Sequence, residues 1–234
     1  MAEMLRLPCI AGIIIMEMIC AGEMSAQYVN AYQEGTVWEL DGLSDADPGI
    51  AIAGRYFFDG EIFLNGLRYL KLYRESWRVS SPEAIAKSYS GGIRYEEGRV
   101  FYLPPEYDRD FLIFDFNLRE GDEISLYPGE WGYYDGKIPK EISVRCVSED
   151  VRPEFGKDCR VLGIKEVMDG YDLGVNEWIV GVGTNSGPLC NLYTGLGGNS
   201  LSLYKVTVDG EVLFNTVSEI ESVTKAECKC CSDR

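Results

Sequence analysis

The side chains available for acid–base chemistry in this chain are carboxylates, because its 234 residues include no histidine. That absence excludes a Ser-His-Asp triad, a Cys-His pair and an HExxH zinc site. Two carboxylates at a suitable gap could still hydrolyse a glycosidic bond. Candidate acids are Asp108, Asp110, Asp115, Glu130 and Asp135. Since the chain holds 38 acidic residues, two carboxylates can lie at a suitable distance by chance. A carboxylate-dependent glycan hydrolase is therefore the alternative function, and no residue is assigned a catalytic role.

The strongest candidate for ligand binding is the segment GEWGYYDGK, residues 129–137. Its glycines and Asp-Gly pair predict a loop. Aromatic rings could stack on sugar faces while flanking carboxylates accept hydrogen bonds from hydroxyls. The residues concerned are Trp131, Tyr133, Tyr134, Glu130 and Asp135. Aromatic hairpins also complete cores, so inward packing of these rings is the competing interpretation.

Metal and cofactor sites are not indicated. Of the eight cysteines, those beyond residue 26 are Cys146, Cys159, Cys190, Cys228, Cys230 and Cys231. The CKCC tail lacks the second spaced ligand pair of a typical zinc site. An exported protein meets an oxidising compartment, so disulfides are favoured over free thiols, and the pairing stays open.

The net charge of the chain limits the classes of partner that it can bind. A formal net charge of −16 repels phosphate backbones, and no basic stripe offsets it, so nucleic acid is not expected as a partner. A glycan or protein partner at the cell surface is expected instead.

The N-terminal segment resembles a signal for export. Residues 7–22 are mostly apolar but too short and interrupted to span a membrane, and Ser25-Ala26 offers a small-residue cleavage site. Lipidation at Cys20 and a folded N-terminal helix are the alternatives. We expect a signal peptide over residues 1–26, and no later apolar run is long enough to cross a bilayer.

The remaining chain predicts an all-β fold built from antiparallel hairpins, a sandwich or partly closed barrel with little helix. Short apolar segments are separated by turn dipeptides, such as Asp59-Gly60, Asn65-Gly66, Glu97-Gly98 and Asp209-Gly210. Helical periodicity appears only over residues 82–87, with Ser81 as a cap. We expect a polar, loop-like segment over residues 27–50, one β domain over 51–217, and a cysteine-containing tail over 218–234.

Three residues are expected to have structural roles. The Glu97-Gly98 turn predicts consecutive antiparallel strands over residues 93–96, 99–103 and 111–117. Arg94 and Arg99 then share one face, and one of them should pair with Asp115 on the next strand. Trp178 is expected in the core.

Four segments in order suggest a family. They are DGEIFLNGLRYLKLY, GGIRYEEGRVFYL, IFDFNLREGDEI and NEWIVGVGTNSGPL. Together they resemble an uncharacterised family of exported β-rich proteins from Bacteroidetes-type bacteria, over about residues 57–215. Val180 stands where that family usually has an acid. The resemblance implies export and a β-rich fold, and it transfers no catalytic residue. We therefore expect an exported, non-enzymatic β domain that acts as a binding or structural surface protein.

Overall fold

The computed structural model describes residues 30–44, 50–129, 140–152, 159–167, 174–192, 200–216 and 218. The expected signal peptide and the tail cysteines lie outside these ranges. Within them the protein is all-β, as predicted from the turn pattern, and contains no helix. No helix of the described residues is therefore long and apolar enough to cross a membrane.

Thirteen strands form two antiparallel sheets within the described part of the chain. The strands are β1 (Thr36–Leu43), β2 (Ala51–Leu64), β3 (Leu67–Arg78), β4 (Ser81–Glu96), β5 (Arg99–Leu103), β6 (Phe111–Asp115), β7 (Glu123–Leu126), β8 (Ile142–Arg152), β9 (Cys159–Glu166), β10 (Asn176–Ile179), β11 (Gly183–Thr184), β12 (Ser200–Val208) and β13 (Glu211–Asn215). The larger sheet has the order β13-β12-β1-β2-β3-β4-β5-β6, the smaller has the order β11-β10-β9-β8-β7, and one of the two curls into a half-barrel.

Three of the four predicted turn dipeptides close hairpins. Asn65-Gly66 joins β2 to β3, Glu97-Gly98 joins β4 to β5, and Asp209-Gly210 joins β12 to β13. Both residues of each pair have positive φ; for Glu97 and Gly98 the values are 47° and 82°. That conformation matches a type I′ turn, whose twist suits adjoining strands.

The fourth dipeptide, Asp59-Gly60, is a bulge and not a turn. It lies inside β2, where the pairing with β3 shifts between Phe58 and Glu61. Gly60 has a φ of 81°, which a bulge can use as readily as a turn. The prediction of a turn was wrong because β3 pairs with β2 on both sides of this point and keeps the strand continuous.

The predicted helical segment is also a strand. Residues 82–87 lie in β4, and Ser81 pairs with Arg78 across the β3–β4 hairpin. The helix prediction was wrong because an amphipathic helix needs a core to cover its apolar side. Residues 82–88 are all exposed. The pairing continues at Ala86 and Lys87 after a register shift.

The segment expected to be loop-like contains a central strand. β1 lies between β12 and β2 in the larger sheet, and Trp38 on β1 is fully buried. The sequence did not predict this strand because polar side chains alternate with the apolar ones and occupy the face of the strand opposite Trp38. Glu39, for example, forms an ion pair with Lys205 on β12.

A single hydrophobic core joins the facing sides of the two sheets. Trp38 from the larger sheet donates its Nε1–H to the Val182 carbonyl at 2.9 Å. Phe114 on β6 meets Trp178 on β10 edge to face, with ring centroids 5.0 Å apart. Phe114 on β6 and Phe116 just after it are buried in this core, and Leu112 is half-buried and packs against it.

One asparagine links the edges of the two sheets where β6 meets β7. The buried Asn191 amide donates from Nδ2 to the carbonyls of Ile113 at 2.6 Å and Tyr127 at 2.7 Å. Its Oδ1 accepts from the Gly129 amide at 2.8 Å. The Asn191 carbonyl also accepts the Trp178 Nε1–H at 2.7 Å. Every buried polar atom of this side chain is thereby paired.

The expected disulfides are not found among the described cysteines. Cys146, Cys159 and Cys190 form no disulfide bond with one another. Burial raises the pKa of the Cys146 thiol, which keeps it protonated and poorly nucleophilic near neutral pH.

Candidate functional site

The aromatic loop predicted to bind a ligand lies outside the described residues. Glu130, Trp131, Tyr133, Tyr134 and Asp135 all fall in the undescribed range 130–139. Their role stays a prediction.

Two of the candidate acids are held by arginines. Asp110 Oδ2 accepts from Arg94 at 2.8 and 3.1 Å and from the Tyr69 hydroxyl at 3.0 Å. The Arg94 guanidinium lies 3.9 Å from the centroid of the Phe101 ring. Arg94 therefore pairs with Asp110 and not with Asp115.

The predicted arginine partner of Asp115 is Arg99, on β5. Arg99 Nε donates to Asp115 Oδ2 at 2.8 Å, and the two residues lie directly opposite each other in the β5–β6 register. Trp178, the third residue expected to be structural, is fully buried in the core. These contacts tie neighbouring strands together.

A row of aromatic rings crosses the larger sheet on its outer face, which is the face opposite Trp38 and the core. Phe57 on β2, Tyr73 on β3 and Tyr89 on β4 are directly paired in register. Phe57 and Tyr73 are nearly parallel, with centroids 6.0 Å apart, and Tyr89 tilts against Tyr73 at 5.5 Å. All three rings are half-buried. We call this set the outer aromatic row.

A row of alternating charges runs beside the aromatic one. In register order across five strands it consists of Lys205, Glu39, Arg55, Glu75 and Lys87. Lys205 reaches Glu39 at 2.7 Å, and Arg55 binds Glu75 at 2.6 Å. Because opposite charges face each other on every neighbouring strand, this row supports the register that aligns the rings.

Lysines approach the aromatic row from two sides. The Lys87 ammonium lies 4.5 Å from the Tyr73 centroid and 4.9 Å from that of Phe57, a cation–π geometry. Lys71 precedes Tyr73 by two residues on β3, so its side chain leaves the same face. Among the described residues Lys71 has no ion-pair partner. Lys71 lies beside the bulge of β2, since a Cβ at Gly60 would be in ordinary contact with Lys71 Cδ at 3.9 Å.

The row also offers hydroxyl donors. Burial, and secondarily the neighbouring Tyr73, raises the pKa of Tyr89, so its hydroxyl remains protonated across the physiological range. The outer aromatic row thus combines apolar ring surface with hydroxyl and ammonium donors. This is a combination that can hold a polar ring compound.

Comparison of the chain with protein-family models, curated proteins and solved structures finds no match. The described residues include no group of three or more Cys, Asp or Glu side chains arranged to hold a metal ion.

Sequence reasoning missed the outer aromatic row. The available signal was alternation: Lys71, Tyr73, Glu75 and Trp77 occupy every second position of β3. Two errors obscured it. The helical interpretation of residues 82–87 removed Lys87 from any sheet face, and the turn assigned to Asp59-Gly60 divided β2 close to Phe57. Only the strand register brings the three rings together.

Proposed function

We propose that this protein is an exported, non-enzymatic β module that binds a glycan on the outer face of its larger sheet. The observation that carries the proposal is the outer aromatic row, Phe57, Tyr73 and Tyr89. These rings are half-buried on the face turned away from the core. Aromatic surface kept at the solvent boundary beside hydroxyl and ammonium donors suits the mixed apolar and polar surface of a sugar.

The size of the row favours a saccharide over a protein partner. Three neighbouring strands span roughly 10 Å, since strands in a sheet lie about 4.8 Å apart. A stable protein interface needs about 800 Å² on each partner. A patch of three half-buried rings is closer to the dimensions of one or two sugar rings.

The carboxylates beside the row favour binding over hydrolysis. Glu75 is held by Arg55 at 2.6 Å, and Asp59 pairs with Lys87 at 3.4 Å. Glycoside hydrolysis needs one protonated acid and one free carboxylate on either side of the bond. Both carboxylates beside the row are already engaged in ion pairs with cations of the protein.

Export is supported by the sequence. The apolar stretch over residues 7–22 followed by Ser25-Ala26 has the form of a signal peptide. The resemblance to a family of exported β-rich proteins points to the same location, where extracellular glycans are accessible.

The test is affinity electrophoresis in native gels that contain a panel of neutral and acidic polysaccharides. We expect at least one polysaccharide to retard the wild type, and the double variant Tyr73→Ala/Tyr89→Ala to migrate as if no polysaccharide were present. Phe63→Ala is the matched control, because Phe63 is 69% exposed near the tip of the β2–β3 hairpin, away from the row.

The outcomes separate the two candidate sites. Unchanged retardation of the Tyr73/Tyr89 variant, with loss in Trp131→Ala/Tyr134→Ala, would move the site to the predicted loop. No retardation of the wild type by any polysaccharide would reject the glycan proposal. Circular dichroism and urea unfolding of each variant show whether a loss reflects unfolding.

A further inference from the structure

We infer that the glycan bound by the outer aromatic row is an acidic one, whose carboxylates are recognised by Lys71 and Lys87. This inference rests on the proposed function and adds the chemical class of the ligand. The cations beside the outer aromatic row contrast with the chain as a whole, whose net charge is −16.

The first support is the charge balance at the row. Its cations are Arg55, Lys71 and Lys87, and its anions are Asp59 and Glu75. Arg55 and Glu75 neutralise each other at 2.6 Å, and Lys71 has no ion-pair partner among the described residues. The five charges named therefore leave one cation in excess on a strongly acidic protein. Such a patch attracts an anion where the surrounding surface repels one.

The second support is that Lys87 can exchange its counterion. Its contact with Asp59 is long, at 3.4 Å, and the side chains are 44% and 63% exposed. An exposed pair of this kind contributes little to stability. A ligand carboxylate can therefore replace Asp59 at small cost.

The third support is the position of the two lysines relative to Tyr73. Lys71 lies two residues before Tyr73 on β3, and Lys87 pairs in register with Glu75, two residues after it. The backbone positions of Lys71 and Lys87 therefore lie on opposite sides of Tyr73 along the strand direction. A sugar ring resting on Tyr73 would have a cation within reach at either end, which suits a chain of uronic acids.

The experiment compares polysaccharides that differ only in charge: polygalacturonate and hyaluronate, each alongside its carboxyl methyl ester. Isothermal titration calorimetry at low salt should show about tenfold tighter binding of an acidic form than of its ester, the size expected for one or two exposed ion pairs. The preference should shrink as salt is raised, because exposed charges are screened.

The variant Lys71→Met/Lys87→Met should lose the preference and bind the acidic form and its ester with equal affinity. Lys140→Met is the matched control, because it removes an exposed lysine outside the row, and it should keep the preference. Equal wild-type affinity for both forms, or a preference that survives in the double variant, would overturn the inference while leaving glycan binding intact. Failure of the wild type to bind any of the four polysaccharides, together with no retardation in the gel panel, would reject both proposals.

Discussion

Arg99 and Asp115 form a cross-strand ion pair in which Arg99 Nε lies 2.8 Å from Asp115 Oδ2. The carboxylate is nearly buried, with 5% of its side chain exposed. Its Oδ1 also accepts from the Asn117 backbone amide at 3.0 Å and the Asn117 side chain at 2.9 Å. The same carboxylate therefore connects β5 to β6 and shapes the chain after β6. The hydrogen bond to Asp115 raises the pKa of Arg99.

The first prediction concerns this pair. A double-mutant cycle on Arg99→Met and Asp115→Asn should give a coupling free energy of about 0.5–3 kcal/mol, as for groups in direct contact. The matching cycle on Arg94→Met and Asp115→Asn should be additive within about 0.5 kcal/mol, because Arg94 pairs with Asp110 instead. Urea unfolding measures both. Coupling in the Arg94 cycle equal to that in the Arg99 cycle would contradict the observed pairing.

The second prediction concerns the core. Phe114→Ala should lower the free energy of unfolding by about 3–5 kcal/mol, because Phe114 is fully buried and removal of its ring leaves a cavity. Phe63→Ala is the control at a 69% exposed position and should change it by about 0.5 kcal/mol or less. Denaturant titration of the two variants measures both changes in the free energy of unfolding. Similar small losses for the two would place Phe114 outside the core.

The third prediction concerns the asparagine between the sheet edges. Asn191→Leu keeps the approximate volume but removes the partners of Ile113, Tyr127 and Gly129. Each buried group left unpaired costs about 1–3 kcal/mol, so this variant should be severely destabilised. Asn215→Leu, at an exposed position of the edge strand β13, should remain close to the wild type. Equal stability of the two variants in urea would show that the link between the edges is dispensable.

The fourth prediction concerns the pH dependence of stability. Glu166 is buried at the end of β9, and burial raises its pKa. Between the unfolded pKa, about 4.3, and the raised folded pKa, the folded state holds a proton that the unfolded state has lost. The contribution of Glu166 to stability is therefore fully present below the unfolded pKa and is lost as pH rises through the folded pKa.

Glu166→Gln should accordingly be more stable than the wild type at pH 8, and the difference should disappear near pH 4. Thermal unfolding at the two pH values tests this. Glu211→Gln, on the exposed edge strand, removes the same single charge and serves as the control for the overall charge of the protein. A stabilisation of Glu166→Gln that does not change with pH would assign the effect to packing.

Much of the local structure could be predicted from short segments. The pairs Asn65-Gly66, Glu97-Gly98 and Asp209-Gly210 close hairpins because these residues tolerate the positive φ that tight turns require. For example, β12 ends at Val208 and β13 begins at Glu211, directly on either side of the last pair. In each case the determining interactions lie within a few residues of one another.

The candidate site could not be predicted in this way. The distinction between a bulge and a turn at Asp59-Gly60 depends on whether a neighbouring strand pairs across it, which the dipeptide does not encode. The choice between Arg94 and Arg99 as the partner of Asp115 depends on strand register. Trp38 becomes a core residue because β2 and β12 flank its strand.

The sequence by itself determined an all-β chain of antiparallel hairpins without histidine chemistry, since turn propensity, side-chain alternation and composition are local properties. Tertiary structure alone decided which side chains meet. Phe57, Tyr73 and Tyr89 come from three strands, and their rings are adjacent because backbone hydrogen bonds align those strands in one register. A shift of one residue would turn a strand's rings toward the opposite face, so the outer aromatic row exists only as a property of the assembled sheet.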